Sequence, residues 1–259
     1  MPLLEASDAR IHYEFSGPDG APVLVFSNSL GTNLSMWDPQ VAGLSQDFRI
    51  LRYDTRGHGG STVTPGPYTI DQLADDVIGL LDKLRLERVH FCGLSMGGMT
   101  GMSLALRFPQ RLHRIVLSST APKIGSPEVW NARIDTVRKG GMQAVVGPIL
   151  ERWYTSPFRF ASPEAVESTR RMLSNTPVEG YVACCAAVRD ADLRDAIAGI
   201  RLPTLIITGT HDPATTPADG HFMAQRIAES RYAELPAAHL SNIEACAAFT
   251  MEVAAFLRA

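Results

Sequence analysis

The sequence predicts an α/β protein: a mainly parallel twisted sheet with helices on both faces and an inserted helical cap. Three observations predict it. Short unbroken apolar runs such as Pro22 to Phe26, Ile115 to Leu117 and Leu205 to Ile207 suit strands covered on both faces, since half-exposed strands alternate instead. Helical patterns separate these runs, and strand–helix alternation favours parallel pairing through crossovers. From about residue 122 to 198 strong strand runs are lacking, and amphipathic patterns surround Trp130, Val137, Val145, Ile149, Val166, Met172 and Val182. Residues 1–121 and 199–259 therefore read as the core, and 122–198 as a cap over the sheet's C-terminal edge.

Taken in order, residues 10–16 alternate as an edge strand before the turn Gly17-Pro18-Asp19-Gly20. The run 22–26 ends in the polar loop 27–32, and helical spacing follows at Met36, Trp37, Val41 and Leu44. Strand 48–53 leads into the loop Asp54-Thr55-Arg56-Gly57-His58-Gly59-Gly60-Ser61. Thr69 can cap a helix with apolar positions Ile70, Leu73, Val77, Leu80, Leu81 and Leu84. A strand from Arg88 meets a helix with Met99, Met102, Leu104, Ala105 and Phe108, and strand 114–119 follows. After the cap come strand 202–209, a helix, strand 231–235 and a final helix from Asn242 to Leu257.

Composition narrows the function classes. In 259 residues, 45% hydrophobic and 20% charged content fit one globular α/β domain. A net charge of −3 without Lys/Arg runs argues against nucleic-acid or membrane-surface partners. The first residues lack a basic and an apolar signal region, and no apolar run nears the roughly 18 residues of a bilayer span. Cys92, Cys184, Cys185 and Cys246 lack zinc-ligand spacing. Reduced thiols in the cytoplasm and no metal are expected.

The chemistry centres on Gly93-Leu94-Ser95-Met96-Gly97, a G-x-S-x-G between a strand and a helix. A serine on such a sharp turn is held above the sheet edge, and small neighbours let the turn close. The following helix aims its N-terminus at what the serine attacks. A serine hydroxyl needs a base, and the base needs an orienting acid; on this elbow they follow in the order serine, acid, histidine. Of seven histidines, His12, His58 and His90 precede Ser95, His113 lies on an arginine-rich turn, His211 is adjacent to the acid candidate and His221 falls on a helix. His239, in the loop after the last strand, fits the base. Asp212, in the proline-stiffened loop after strand 202–209, fits the acid; otherwise it makes a turn or caps the helix near Pro217. Asp190, Asp192 and Asp195 read as a solvated helical face.

An oxyanion hole needs an amide after the nucleophile, here Met96, and one from the loop after the early strand, by position Leu30. Asp54 and Arg56 read as bracing their loop, with His58 as a second base the alternative. In the cap, Trp130, Arg133, Trp153 and Tyr154 could stack on a small ligand or bind its charge, or could serve cap packing.

Over its whole length the chain resembles the α/β-hydrolase superfamily, through Ser27 to Gly31, Asp54 to Gly59, Gly93 to Gly98, Gly209 to Asp212 and His239. Within it, the chain resembles the 3-oxoadipate enol-lactonases in Ser27 to Thr32, Cys92 to Gly101, Thr120 to Gly125 and Gly180 to Asp190. Pro122 departs from the more usual alanine, and the loop at Gly59-Gly60-Ser61 is slightly extended. The resemblance implies hydrolysis of a small anionic lactone through an acyl-serine, in aromatic-compound catabolism, without metal or organic cofactor. It implies a donor or cation for the substrate carboxylate, for which Trp130 and Arg133 are the candidates. Other cofactor-free esterases, perhydrolases and C–C bond hydrolases share the triad, as does a ligand-binding receptor on the same fold. Oligomeric state stays open.

Overall fold

The structure is a computed structural model and describes residues 2–6 and 8–259. Its frame among the described residues is an eight-stranded sheet: β1 (Leu3–Ala6), β2 (Ala9–Ser16), β3 (Val23–Ser27), β4 (Arg49–Tyr53), β5 (Val89–Leu94), β6 (Leu112–Ser118), β7 (Thr204–Gly209) and β8 (Ser230–Leu235). The strands lie in the order β1-β2-β4-β3-β5-β6-β7-β8. Pairs β1–β2 and β2–β4 are antiparallel, and the pairs from β4–β3 onward are parallel.

The strand expected over residues 10–16 forms as β2, but it lies one place in from the edge. β1 covers β2 in the register Leu3↔His12 to Ala6↔Ala9. Within β1 only Ala6 is buried, so the segment carries too little alternation to announce itself.

The unbroken apolar runs are covered on both sides. Leu24 and Phe26 join one buried cluster while Val25 joins the other, and Leu205, Ile207 and Ile206 divide the same way. This is the two-residue period of a strand feeding two helical layers. Helices α1 (Asp38–Leu44) and α11 (Cys246–Arg258) cover one face; α2 (Ile70–Lys83), α3 (Met96–Arg107) and α9 (Pro217–Arg226) cover the other. Each large apolar side chain so removed from water contributes about 1.5–3 kcal/mol. At the start of α2 the Thr69 side chain accepts from the Gln72 amide, and Ile70, Leu73, Val77, Leu80 and Leu81 are buried.

The final helix departs from the expected single element. It is divided into α10 (Ser241–Glu244) and α11. Gln40 Nε2 donates to the Asn242 carbonyl at 2.8 Å. That carbonyl would accept from the Cys246 amide in a continuous helix.

Between β6 and β7 lie five helices: α4 (Pro127–Gly140), α5 (Gln143–Trp153), α6 (Ser156–Ala161), α7 (Pro163–Ser174) and α8 (Val178–Asp190). They meet the loops at the C-terminal strand ends. Added Cβ atoms show how closely: one on Gly57 would stand 2.6 Å from Gly180 Cα, and one on Gly180 would stand 2.0 Å from Gly57 O. The mouth of the site is thus formed by strand ends below and helices above.

Candidate active site

Ser95 stands between β5 and α3 with φ +58° and ψ −115°. A non-glycine residue holds such angles only where its surroundings over-determine them. Here the Ser95 amide donates to Ser118 O at 2.9 Å, while its carbonyl accepts from Thr120 Oγ1 at 2.7 Å and from the Met99 amide at 3.0 Å. The flanking glycines are dictated by backbone contact. A Cβ on Gly93 would lie 2.1 Å from Gly97 O, and one on Gly97 would lie 2.2 Å from Ser27 O. The Gly97 amide also donates to Asn28 O at 3.0 Å, fastening the elbow to the loop after β3.

His239 and Asp212 meet as expected. His239 Nδ1 lies 2.7 Å from Asp212 Oδ2, and both side chains are buried. Asp212 is held in turn: its Oδ1 accepts from the Ala214 and Thr215 amides at 2.8 and 3.1 Å, and its Oδ2 from Thr215 Oγ1 at 2.6 Å. Burial alone would raise this carboxyl, but the His239 charge and these hydrogen bonds outweigh it and hold it below its ordinary value. An ionised Asp212 keeps the proton on Nδ1 and leaves Nε2 to act as base. The helix near Pro217 is capped instead by Thr216 and Asp219, in a reciprocal capping box.

Ser95, His239, Leu30 and Ser29 line one cavity of about 190 Å³ with Trp130, Arg133, Arg152, Trp153, Tyr181 and Ala214. The Ser95 hydroxyl makes no hydrogen bond to His239 in this conformation; such contacts commonly tighten when substrate binds. A larger, open groove of about 560 Å³ lies between α4 and α8 and touches no residue of the triad. Ser95 and His239 open onto the smaller space.

Both expected oxyanion donors are near it. Leu30 lines the cavity, and Met96 opens α3, whose first-turn amides lack helical acceptors. The positive end of that helix favours a developing oxyanion.

The cap residues divide. Trp130 and Arg133 reach the cavity, with the Arg133 guanidinium 4.8 Å from the Trp130 ring and Trp130 Nε1 donating to Ile124 O at 2.6 Å. Trp153 lines it too, its ring 5.8 Å from that of His239. Tyr154 does not reach it: its hydroxyl bonds Thr169 Oγ1 at 2.7 Å inside the cap, beside Phe158. Arg152 escaped the sequence reading. Its local sequence carries no signal that sets it apart from other helical arginines, and only the approach of α5 to α4 brings it beside Arg133. The residue as a whole is exposed, but partial desolvation of its guanidinium and the Arg133 charge both lower its pKa. Arg133 and Arg152 both line this cavity, and among the described residues neither forms an ion pair with a carboxylate, an arrangement able to receive an anion.

The loop after β4 braces the site, as expected, with partners the sequence did not reveal. Arg56 meets Asp76 and Asp8; Asp54 accepts from His12 Nδ1, Leu34 N and Gly60 N. His58 faces away from the triad's base role. Its Nε2 accepts from the Gly31 amide at 2.9 Å, and burial lowers its pKa to about 4.

Comparison with known proteins agrees with this geometry. Residues 22–245 match the family described as the alpha/beta hydrolase fold. The chain is 44% identical to 3-oxoadipate enol-lactonase 2 of Acinetobacter baylyi, over 98% of this chain and 96% of that one. The crystal structure of the enol-lactonase from Burkholderia xenovorans superposes with a TM-score of 0.98 at 50% identity, over the whole of both chains. A thermophilic esterase from Thermogutta terrifontis superposes at 0.93 with 28% identity, over 100% of this chain and 98% of that one. The chain belongs to the α/β-hydrolase fold family.

Proposed function

We propose that this protein hydrolyses 3-oxoadipate enol-lactone to 3-oxoadipate through an acyl-serine intermediate, as a step in aromatic-compound catabolism. The observation that carries the reading is one small cavity lined by Ser95, by His239 with Asp212 behind it, and by Arg133 and Arg152, which among the described residues have no carboxylate partner. Likeness to enol-lactonases over nearly the full length supports it.

Ser95 Oγ attacks the lactone carbonyl while His239 Nε2 takes its proton, and Asp212 stabilises the imidazolium. The oxyanion sits between the Leu30 and Met96 amides. Collapse breaks the ring C–O bond, and the enolate-like oxygen leaves with the proton from His239. It is a better leaving group than an alkoxide, so less protonation is asked of His239. The freed enol tautomerises to the ketone. A water activated by His239 then attacks the acyl-serine, and Ser95 recovers its proton. Arg133 and Arg152, with Trp130 beside them, bind the acetate side chain of the substrate. Residues 122–198 act as the cap that shapes this end of the cavity. Four cysteines without disulfides support a cytoplasmic setting. None of these steps calls on a metal or organic cofactor.

Turnover of synthetic 3-oxoadipate enol-lactone against simple aryl esters tests the reading. A kcat/KM at least tenfold higher for the lactone is expected. Preference for the neutral esters would make the protein a general esterase, and tight binding without turnover would make it a receptor.

A further inference from the structure

Gly31, the residue after the Leu30 oxyanion donor, is held from every side. Its amide donates to His58 Nε2 at 2.9 Å. Its carbonyl accepts from Thr176 Oγ1 at 2.8 Å, nearer than the 3.0 Å from that hydroxyl to Met172 O. Its bare Cα is closed in by the cap: an added Cβ would stand 2.8 Å from Leu173 Cδ2 and 3.0 Å from Tyr181. With φ +84° the position also favours glycine. His58 and Thr176 are both buried, and neither touches the cavity.

We propose that His58 and Thr176 are positioning residues for the oxyanion hole, gripping the two ends of Gly31 so that the Leu30 amide stays aimed at the reacting carbonyl. This rests on the serine-hydrolase reading of the site. The peptide joining Leu30 to Gly31 ends in the amide that His58 holds, and rotating that peptide would swing the loop carrying the Leu30 N–H. Preorganised donors act only when aimed at the oxyanion's position, and misplacement is costly.

The tautomer of His58 follows from its neighbours. Nε2 accepts from an amide, so the ring proton sits on Nδ1, which faces Arg56 O at 3.3 Å. Burial keeps the ring neutral, as an acceptor must be. The arrangement is seated by the cap a second time: Cys184 Sγ of α8 lies 3.8 Å from Arg56 O, and Gly57 abuts Gly180. Through Thr176 and α8, the cap therefore sets the oxyanion loop as well as covering the substrate.

The test compares the intact chain with Thr176→Val, His58→Leu and His58→Gln on 4-nitrophenyl acetate and on the enol-lactone. Phenylboronic acid, whose tetrahedral adduct places an oxygen in the oxyanion hole, is titrated by tryptophan fluorescence. Thr176→Val should lower kcat about tenfold and His58→Leu about a hundredfold, at most the lower end of the range of about 10²–10³-fold for outright loss of one oxyanion donor. KM should stay within about twofold, and boronate affinity should fall by the same factors as kcat. His58→Gln, whose amide oxygen can accept from Gly31, should recover most of the loss. Unchanged kcat and boronate affinity in folded Thr176→Val overturns the proposal, as does a rise in KM at constant kcat. Thr176→Val decides alone if His58→Leu does not fold. A wild type that opens the ester but not the lactone defeats the substrate reading and leaves this comparison intact.

Discussion

Replacing Arg133 by methionine separates substrate recognition from catalysis. Methionine keeps an unbranched stem beside Trp130 and removes the charge, so packing is disturbed little. A hydrogen bond to a charged group contributes about 1.5–3 kcal/mol, and 1.4 kcal/mol is a factor of ten. Loss of the Arg133–carboxylate contact alone should lower kcat/KM for the enol-lactone by about 10–150-fold. Arg152 remains beside the same cavity, which places the expected loss at the lower end, about 10–30-fold. Because a remote carboxylate is bound equally in ground and transition states, KM should carry most of it. Stability should shift by no more than about 1 kcal/mol: a cation–π contact of about 0.5–1 kcal/mol is lost, and repulsion of Arg152 is relieved. Steady-state kinetics on the lactone and on its methyl ester form the assay. The neutral ester should respond by less than twofold. Equal losses on both substrates, or none on either, would refute the placement of the carboxylate.

Four further outcomes follow from the geometry. Ser95→Ala should abolish nearly all turnover while its circular dichroism and melting stay those of wild type; wild-type turnover in that variant would sink the mechanism. Asp212→Asn should lower kcat by about 10³–10⁴-fold with little change in KM, since the amide permits the wrong histidine tautomer; a loss under tenfold would remove Asp212 from the triad. Gly97→Ala should fail to give soluble folded protein, because its Cβ would meet backbone, Ser27 O at 2.2 Å, which cannot step aside; a well-folded variant would show that the elbow relaxes. Burial lowers His58 and His90 from 6.5 to about 4. Between those values the unfolded chain binds the extra protons, so stability falls as pH drops from about 6.5 towards about 4, by about 1.4 kcal/mol per pH unit for each histidine. Urea midpoints at pH 7, 6 and 5 read this, and a flat series would contradict it.

Much of the site was legible in the sequence because its signals are local. Backbone contacts confine Gly93 and Gly97 to glycine, so the elbow is written in five residues. Asp212 and His239 each lie in the loop after a strand legible from its local residues, and their order after Ser95 suggests their roles without any distance. The donors proposed at Leu30 and Met96 are backbone amides, which leaves position, not side-chain type, to identify them.

Other features depend on segments far apart in the chain. β1 exists because β2 offers it a free edge, and the break at Ala245 exists because Gln40 reaches across to Asn242. Nothing local sets Arg152 apart until α4 brings Arg133 beside it, and Tyr154 stays between ligand contact and cap packing until Thr169 claims its hydroxyl. His58 is one residue of a glycine-rich loop until the fold sets it and Thr176 on the two ends of Gly31. Strand and turn preferences act over a few residues and are carried by the sequence itself. The proposed anion site and the proposed support of the oxyanion loop are made of contacts over long sequence separations, and only the packed cap decides them.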